Sequence, residues 1–368
     1  MASLALDIKH CCRPCLRRLY IQKRSLTTTT SRRKHGAVPI FSDTPSPELN
    51  ALLSTFRTNI FLPSHLIKLQ RDLLYKKKNH SLLTAEEPAT VRLGNEVHQL
   101  LPLNHITDEP ATRASIAKVV KLMTETGDWK NLPGFLEGLK TARRVVHGDQ
   151  FEKMIRRASD CGRIGVVVDC LRRVERTGMG LWDVRVAREV MWGVLGKCVQ
   201  SEWSEEGVES GRKLAEVVWE LCFDPKHVPK MVGLEDPKKR PEIAGVLVQM
   251  YAAKAVMFEG SKDEGGAVEK WVQLMLRVWG NTKVGVKERD WNDANYQLTM
   301  WAPVWHGILM AQKLLGAQSP LGQELGAKLQ ELESVIQQAR LVLSEHPHQD
   351  GNIRRGLKVY NQLSQVSV

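Results

Sequence analysis

Nowhere in its 368 residues does the chain hold the uninterrupted apolar run of about eighteen that a membrane span needs. Its most apolar stretch, Ile243 to Phe258, is broken by Gln249 and Lys254. No phosphate-cradling G-x-x-x-x-G-K-[ST] loop is present. "GVLGKC", from Gly193 to Cys198, has the wrong spacing and ends in cysteine. No G-x-G-x-x-G follows a strand, and no H-E-x-x-H pair occurs. "VESGRK" lacks the glycine two residues before Ser210 that a nucleophile elbow requires. These absences argue against an enzyme, a cofactor and a small-molecule substrate.

Cysteine is sparse and poorly placed for metal. "CCRPC" (Cys11, Cys12 and Cys15) contains one C-x-x-C, but no second ligand pair follows, so zinc is not expected. Cys161, Cys170, Cys198 and Cys222 fall in helical patterns and read as buried small hydrophobes of a reducing compartment. Histidine is scattered. His346 and His348 flank Pro347 as a chance surface pair, and His306 lies in an apolar helix as a core or interface residue.

Acid is nearly missing from residues 1–35, which hold nine basic side chains and one aspartate, Asp7. This Arg- and Ser/Thr-rich start resembles a mitochondrial transit peptide, with "KRSLTTTT" as a processing site cut after Leu26. The alternative is a basic arm that binds nucleic acid. The segment supplies +8 of the chain's net +12, so residues 36–368 carry only +4. Such a body touches RNA through patches and does not coat it.

The expected organisation is a presequence (1–35), an N-terminal extension (36–113), a helical-repeat domain (114–345) and a C-terminal loop and helix (346–368). Ser46-Pro47-Glu48 supplies an N-cap, first-turn proline and acid for a helix through Phe56. Ser64 is expected to cap a second helix striped by Leu66, Leu69 and Leu73. Val91, Leu93, Gly94-Asn95 and Val97 predict a β-hairpin with a two-residue turn.

From Ala114 the pattern is helical and repeats at 35 residues, 114–148 against 149–183. Ile116, Val119 and Val120 match Phe151, Met154 and Ile155; Leu132 and Leu136 match Val167 and Leu171. Gly127 matches Gly162, a turn position where a left-handed backbone favours glycine. An acidic insertion, "SEWSEEGVES", is expected to separate the next helices. Further pairs follow at Glu242 to Phe258 with Ala267 to Trp279, and at Leu298 to Leu315 with the helix around 321–344. The last helix has a seam of Leu325, Leu329, Leu332, Ile336, Ala339 and Leu343. The fold class is therefore mainly α: an α-solenoid of stacked helix pairs with a short N-terminal helical segment and a small β-hairpin.

The 35-residue helix-turn-helix period, with an aromatic-x-x-Φ-I opening and "V-x-x-x-G-M" at its close, resembles the pentatricopeptide repeat family. That resemblance implies a stacked, tetratricopeptide-like superhelix that reads RNA one base per repeat. Base-reading repeats place a small polar residue after the opening aromatic. Ala117 and Glu152 stand there instead. Asp183 occupies the partner position in the second repeat, and Gly148 in the first. Alanine offers no hydrogen bond and Glu152 repels phosphate, so the scaffold is retained without the code. The stretch "FRTNIFLPSHLIKLQRDLLYKKKNHSLL" and the hairpin after it are similar to fungal mitochondrial ribosomal proteins of the large-subunit accessory type, the family numbered fifty.

All ten tryptophans lie at or after Trp129. Trp192, Trp219, Trp271, Trp279, Trp301 and Trp305 fit core filling better than base stacking. Trp203 and Trp291, in polar surroundings, are the candidates for exposed partner contacts. The functional signal lies in the basic clusters: Lys76, Lys77 and Lys78; Arg143 and Arg144; Lys153, Arg156 and Arg157; Arg172, Arg173 and Arg176. They are candidate phosphate contacts that position a protein on RNA without reading sequence. The alternative is a solvated face with pairs such as Asp169–Arg173. Together these features predict a non-enzymatic structural component of the mitochondrial ribosome in the matrix, large subunit favoured, bridging rRNA and ribosomal proteins. The alternative is a free pentatricopeptide-type RNA-binding factor in mitochondrial mRNA maturation or translation.

Overall fold

Ser46 and Pro47 begin the first helix as their chemistry requires. The Ser46 hydroxyl accepts from the Leu49 N–H at 3.2 Å, and Pro47 sits in the first turn, where no N–H is missed. The computed structural model describes residues 26–27, 37–84, 89–229, 233, 235–280, 282, 284–287, 290–346 and 353–366. The expected presequence, apart from Leu26 and Thr27, and the Pro347–His348 loop lie outside the described residues. Strand β1 is Leu26–Thr27, and helix α1 is Pro47–Phe56, ending where predicted.

The chain does not leave its helical path there. A π-helical turn, Arg57–Phe61, leads into α2, Leu62–His65. Ser64 caps nothing: its hydroxyl donates back to the Phe61 carbonyl at 2.6 Å. Helix α3, Lys68–Tyr75, starts later, with the Gln70 side chain accepting from the Ile67 N–H at 3.0 Å. That later start turns the buried face. Leu66 and Leu73 are buried as expected, but Leu69 is 50% exposed and Leu74 takes its place. A 3-10 turn, Lys77–Asn79, precedes α4, His80–Leu83.

The hairpin forms as read. Strands β2, Thr90–Leu93, and β3, Glu96–Gln99, are antiparallel with Leu93 opposite Glu96, leaving Gly94-Asn95 as the turn. Gly94 has φ +64°, a conformation that favours glycine in two-residue hairpin turns. Strand β1 runs parallel to β2 at Val91 and Arg92.

Packing divides the chain into two units, residues 1–122 with 134–145, and residues 123–133 with 146–368. In the first, Phe56, Phe61 and Phe135 form an aromatic core, with Phe56 edge-on to Phe135 at 4.9 Å. Leu66, Leu73, Leu74, Leu83, Val91, Leu100 and Leu103 join α3, α4 and the hairpin in one apolar cluster. Helix α5, Thr112–Leu122, packs on α1, where Lys118 pairs with Glu48 at 2.5 Å.

The second unit takes in α6, Thr126–Trp129, and the start of α7, Leu132–Thr141. It continues with α8, Gly148–Asp160; α9, Ile164–Arg172; and α10, Val174–Thr177. Next come α11, Val184–Gln200; α12, Glu205–Leu221; and α13, Pro241–Phe258. Helices α14, Ala267–Trp279; α15, Trp291–Leu315; α16, Pro320–Glu345; and α17, Arg355–Ser364 complete it. Successive helices pack on one another from α11 to α14, and α15 packs against α13, α16 and α17. Gly245 and Gly307 let α13 and α15 approach closely: a Cβ on Gly307 would lie 3.0 Å from the Gln249 backbone.

The chain is mainly helical with a small hairpin, consistent with the predicted solenoid-like class. The matched stripes of both 35-residue periods are buried: Ile116, Val119, Val120, Leu132 and Leu136, and their partners Phe151, Met154, Ile155, Val167 and Leu171. The glycines are not equivalent. Gly162 closes α8 with φ +69°, whereas Gly127 lies inside α6 and not in a left-handed turn. The acidic insertion is not a separate loop. Ser204 accepts from the Gly207 N–H at 3.3 Å, and Glu205 and Glu206 form the first turn of α12. Acids there complement the positive end of the helix dipole. The seam of α16 is inward as read, with Leu325, Leu332, Ile336, Ala339 and Leu343 buried.

Candidate nucleic-acid interface

Each cation must first be tested for an internal partner, because a guanidinium held by a carboxylate is poorly placed to meet phosphate. In the first unit, Lys76, Lys77 and Lys78 are exposed where α3 ends. Lys76 reaches Asp72 at 2.7 Å, an exposed i, i+4 pair worth little to stability. Lys77 and Lys78 have no ion-pair partner among the described residues. Arg143 is exposed with φ +56°, while Arg144 turns inward onto Glu109.

Glu109 links Arg144 of the second cluster to Tyr75, the residue just before the first. Its carboxylate is largely buried and accepts from Arg144, from the Tyr75 hydroxyl at 3.1 Å and from His105 Nδ1 at 2.5 Å. An ionised carboxylate only accepts, so the His105 proton sits on Nδ1. The His105 ring stacks on Tyr75, centroids 3.6 Å apart and planes 10° from parallel. Burial and the Glu109 charge push the Tyr75 hydroxyl far above its usual range, so it stays a donor.

In the second unit, α8 presents Lys153 to solvent and turns Arg156 onto Glu189 of α11 at 3.2 Å. Arg157 is half-buried, and its Nε is buried without an acceptor. Arg172 pairs with Asp169 at 3.3 Å, so the expected Asp169–Arg173 pair is replaced by an i, i+3 contact. Arg173 and Arg176 are exposed.

The two positions that a base-reading repeat would use are both engaged by Arg185. Asp183 caps α11 and pairs with Arg185 at 2.7 Å, and Glu152 lies 3.7 Å from the same guanidinium. Burial pushes the Glu152 carboxyl up, and Arg185 partly offsets that. A Cβ on Gly148 would collide with the Asp183 carboxylate, so this end of the repeat is closed around the arginine.

Several carboxylate hubs escaped the sequence. Glu189, 2% exposed, takes Arg156 and Arg355. Glu242, fully buried, takes Arg188 at 2.6 Å and Arg240 at 3.0 Å. Tyr296 accepts from Arg188 Nη1 at 2.5 Å. These bonds tie α8, α11, α13, α15 and α17 together. Apart from Arg240, two residues from Glu242, the partners lie 33 to 166 residues apart, so no local pattern announces them.

Trp203 is not an exposed contact. It is buried against His306, centroids 5.7 Å apart, because a left-handed turn at Glu202 and Trp203 folds it inward. Trp291 is 38% exposed, with the Arg354 guanidinium 3.8 Å over its ring. His306 is a core residue bonded to Gln249 at 2.9 Å, and burial pushes it down to about 4. Cys170, Cys198 and Cys222 are buried free thiols, and burial pushes Cys198 and Cys222 up to about 12. Among the described residues no His, Cys, Asp or Glu group is placed to hold a metal, and no helix is long and apolar enough to cross a membrane.

Residues 24–362 match the family described as Mitochondrial ribosomal protein mS27. The chain belongs to the mS27 family of mitochondrial ribosomal proteins. Over 275 residues it is 30% identical to the Neurospora crassa protein named small ribosomal subunit protein mS27, covering 70% of this chain and 69% of that one. The mS27 family is a structural, non-enzymatic component of a ribonucleoprotein, and its members belong to the mitochondrion and its translation machinery. The large-subunit expectation is corrected by this relative, whose name places it in the small subunit; the family numbered fifty gives way to mS27. The misassignment rested on the 41–110 stretch, whose basic helix and hairpin carry nothing that distinguishes the two subunits.

Proposed function

We propose that this chain is a structural protein of the small subunit of the mitochondrial ribosome, in the matrix, where it bridges rRNA and neighbouring proteins. The observation that carries the reading is the mS27 match across 24–362, together with the small-subunit relative. Residues 1–35 act as the import signal. Lys77, Lys78, Arg143, Lys153 and Arg173 are exposed and meet phosphate; Lys76 and Arg172 exchange exposed carboxylates for it at low cost, and Arg176, exposed but engaged within the chain, turns to it as well. Arg144 and Arg156 hold the protein's own geometry through Glu109 and Glu189. With Glu152 and Asp183 both on Arg185, the contacts position the protein and do not read bases.

The test is recovery of RNA with a tagged chain from organelle lysate after the subunits are separated at low magnesium. Enrichment of small-subunit rRNA over large-subunit rRNA is expected. Equal recovery of both, or of neither, overturns the reading.

A further inference from the structure

The Glu109 hub has an outer side that the protein's own packing leaves unused. His105 lies flat on Tyr75, yet 61% of its side chain is exposed. One face of the imidazole is covered by Tyr75, so the open surface is the opposite face. Both ring planes are fixed, because Glu109 bonds His105 at 2.5 Å and Tyr75 at 3.1 Å. The loop that carries His105 is also pinned. The Asn104 N–H donates to Asp108 at 2.8 Å, the Ile106 N–H to Asn104 Oδ1 at 3.0 Å, and Asn59 to the Asp108 carbonyl at 2.7 Å. Ile106, beside His105, is 89% exposed, an apolar side chain held in water by a rigid loop.

Cations with no ion-pair partner among the described residues adjoin the parts of this platform in sequence. Lys77 and Lys78 follow two and three residues after Tyr75, and Arg143 precedes the Arg144 that Glu109 holds. Thus two basic clusters that lie far apart in sequence each adjoin or include a residue that Glu109 holds, beside a planar ring with a free face. Of the nearby acids, Glu109 is engaged by Tyr75, His105 and Arg144, Asp72 by Lys76, and Asp108 by the Asn104 N–H and the Thr107 hydroxyl. A flat exposed face, on a hub whose residues are followed or preceded by cations, fits a nucleobase flanked by phosphates. Stacking is the mode by which unpaired bases are held, and a duplex hides its base faces.

We propose that His105, backed by Tyr75, is a stacking platform for one unpaired nucleotide of RNA, with Lys77, Lys78 and Arg143 on its flanking phosphates. This rests on the reading that the chain contacts rRNA and goes beyond it by naming a site and a strand state.

The test uses the purified full chain, an eight-nucleotide single-stranded oligouridylate and a duplex of equal length, read by fluorescence anisotropy. The single strand binds more tightly than the duplex. His105→Ala weakens single-strand binding roughly tenfold, in the range for one stacked base, while His105→Phe stays within about threefold of wild type because it keeps a planar ring. Lys77→Gln, Lys78→Gln and Arg143→Gln combined flatten the salt dependence by about two, for three single-strand phosphates. Unchanged affinity in His105→Ala, equal loss in His105→Ala and His105→Phe, or equal binding of duplex overturns the site. A photo-crosslinking side chain at position 105 that captures only protein in assembled subunits overturns it in favour of a protein contact.

Gradient sedimentation separates this failure from that of the broader reading. A His105→Ala chain that enters the small subunit and binds the oligonucleotide like wild type removes only the stacking site. A wild-type chain that fails to enter the small subunit removes the reading beneath it and the site with it.

Discussion

Removing one partner of the buried Arg188–Glu242 pair is a demanding perturbation of the second unit. Glu242 is fully buried, and Arg188 has 8% of its side chain exposed. Glu242 accepts from Arg188 Nε at 2.7 Å and Nη2 at 2.6 Å, and from Arg240 Nε at 3.0 Å. Glu242→Leu leaves two guanidinium groups facing an apolar side chain. Breaking a buried pair in this way costs about 3–5 kcal/mol. Glu235 lies 3.6 Å from Arg188 and 3.3 Å from Arg240, so the lower figure, about 3 kcal/mol, applies. At about 2–4 °C per kcal/mol for a unit of this size, Tm falls by about 6–12 °C. Arg188→Met costs a similar amount, because Glu242 keeps only Arg240. The double variant lies within about 1 kcal/mol of wild type, since two packed apolar side chains replace a desolvated pair. Urea midpoints followed by circular dichroism, read as a double-mutant cycle, measure all three. Single variants within about 1 kcal/mol of wild type, or a double variant equal to their sum, refute the reasoning.

Other outcomes follow from the same packing. Burial holds His306 down at about 4, so the unfolded chain binds its proton near 6.5 and the folded chain does not. Stability therefore falls as pH drops from 6.5 towards 4, by at most about 3 kcal/mol, and is flat above 6.5. His306→Gln removes most of that slope between pH 6.5 and 5, with His227, also pushed down by burial, supplying the rest; an unchanged urea midpoint profile would contradict this. Gly307→Ala costs about 1–3 kcal/mol, because its Cβ meets Gln249 backbone that cannot rotate away. Gly165→Ala, with open space at its Cβ inside α9, stabilises by about 0.5–1 kcal/mol, and thermal melts distinguish the two signs. Among the described cysteines, maleimide labels Cys161 ahead of Cys170, Cys198 and Cys222 in the native protein, as read by peptide mass spectrometry.

What the sequence made legible was local. Ser46-Pro47, the Gly94-Asn95 turn and the seam from Leu325 to Leu343 are each decided by residues within a few positions of one another, and each forms as read. Errors arose where one local signal had two meanings. Glutamates at 205 and 206 read as a solvated insertion, yet acids also favour the first turn of a helix, and Ser204 decides for the helix. Trp203 read as exposed because its neighbours are polar, and a two-residue left-handed turn reverses its direction. The candidate interface was legible as a list of cations but not as a surface. Whether Arg144 and Arg156 are free depends on Glu109 and Glu189, each meeting its arginine tens of residues away. The choice of subunit was not legible at all: basic helices and stacked helical pairs carry the same chemistry whichever rRNA is near, and the likeness to a small-subunit protein is what separates the two.

Sucrose-gradient sedimentation of mitochondrial lysate, with ribosomal subunits separated at low magnesium, tests the central claim most directly. The account predicts that the chain peaks with the small subunit. A peak with the large subunit, or confinement to the light fractions, would contradict it.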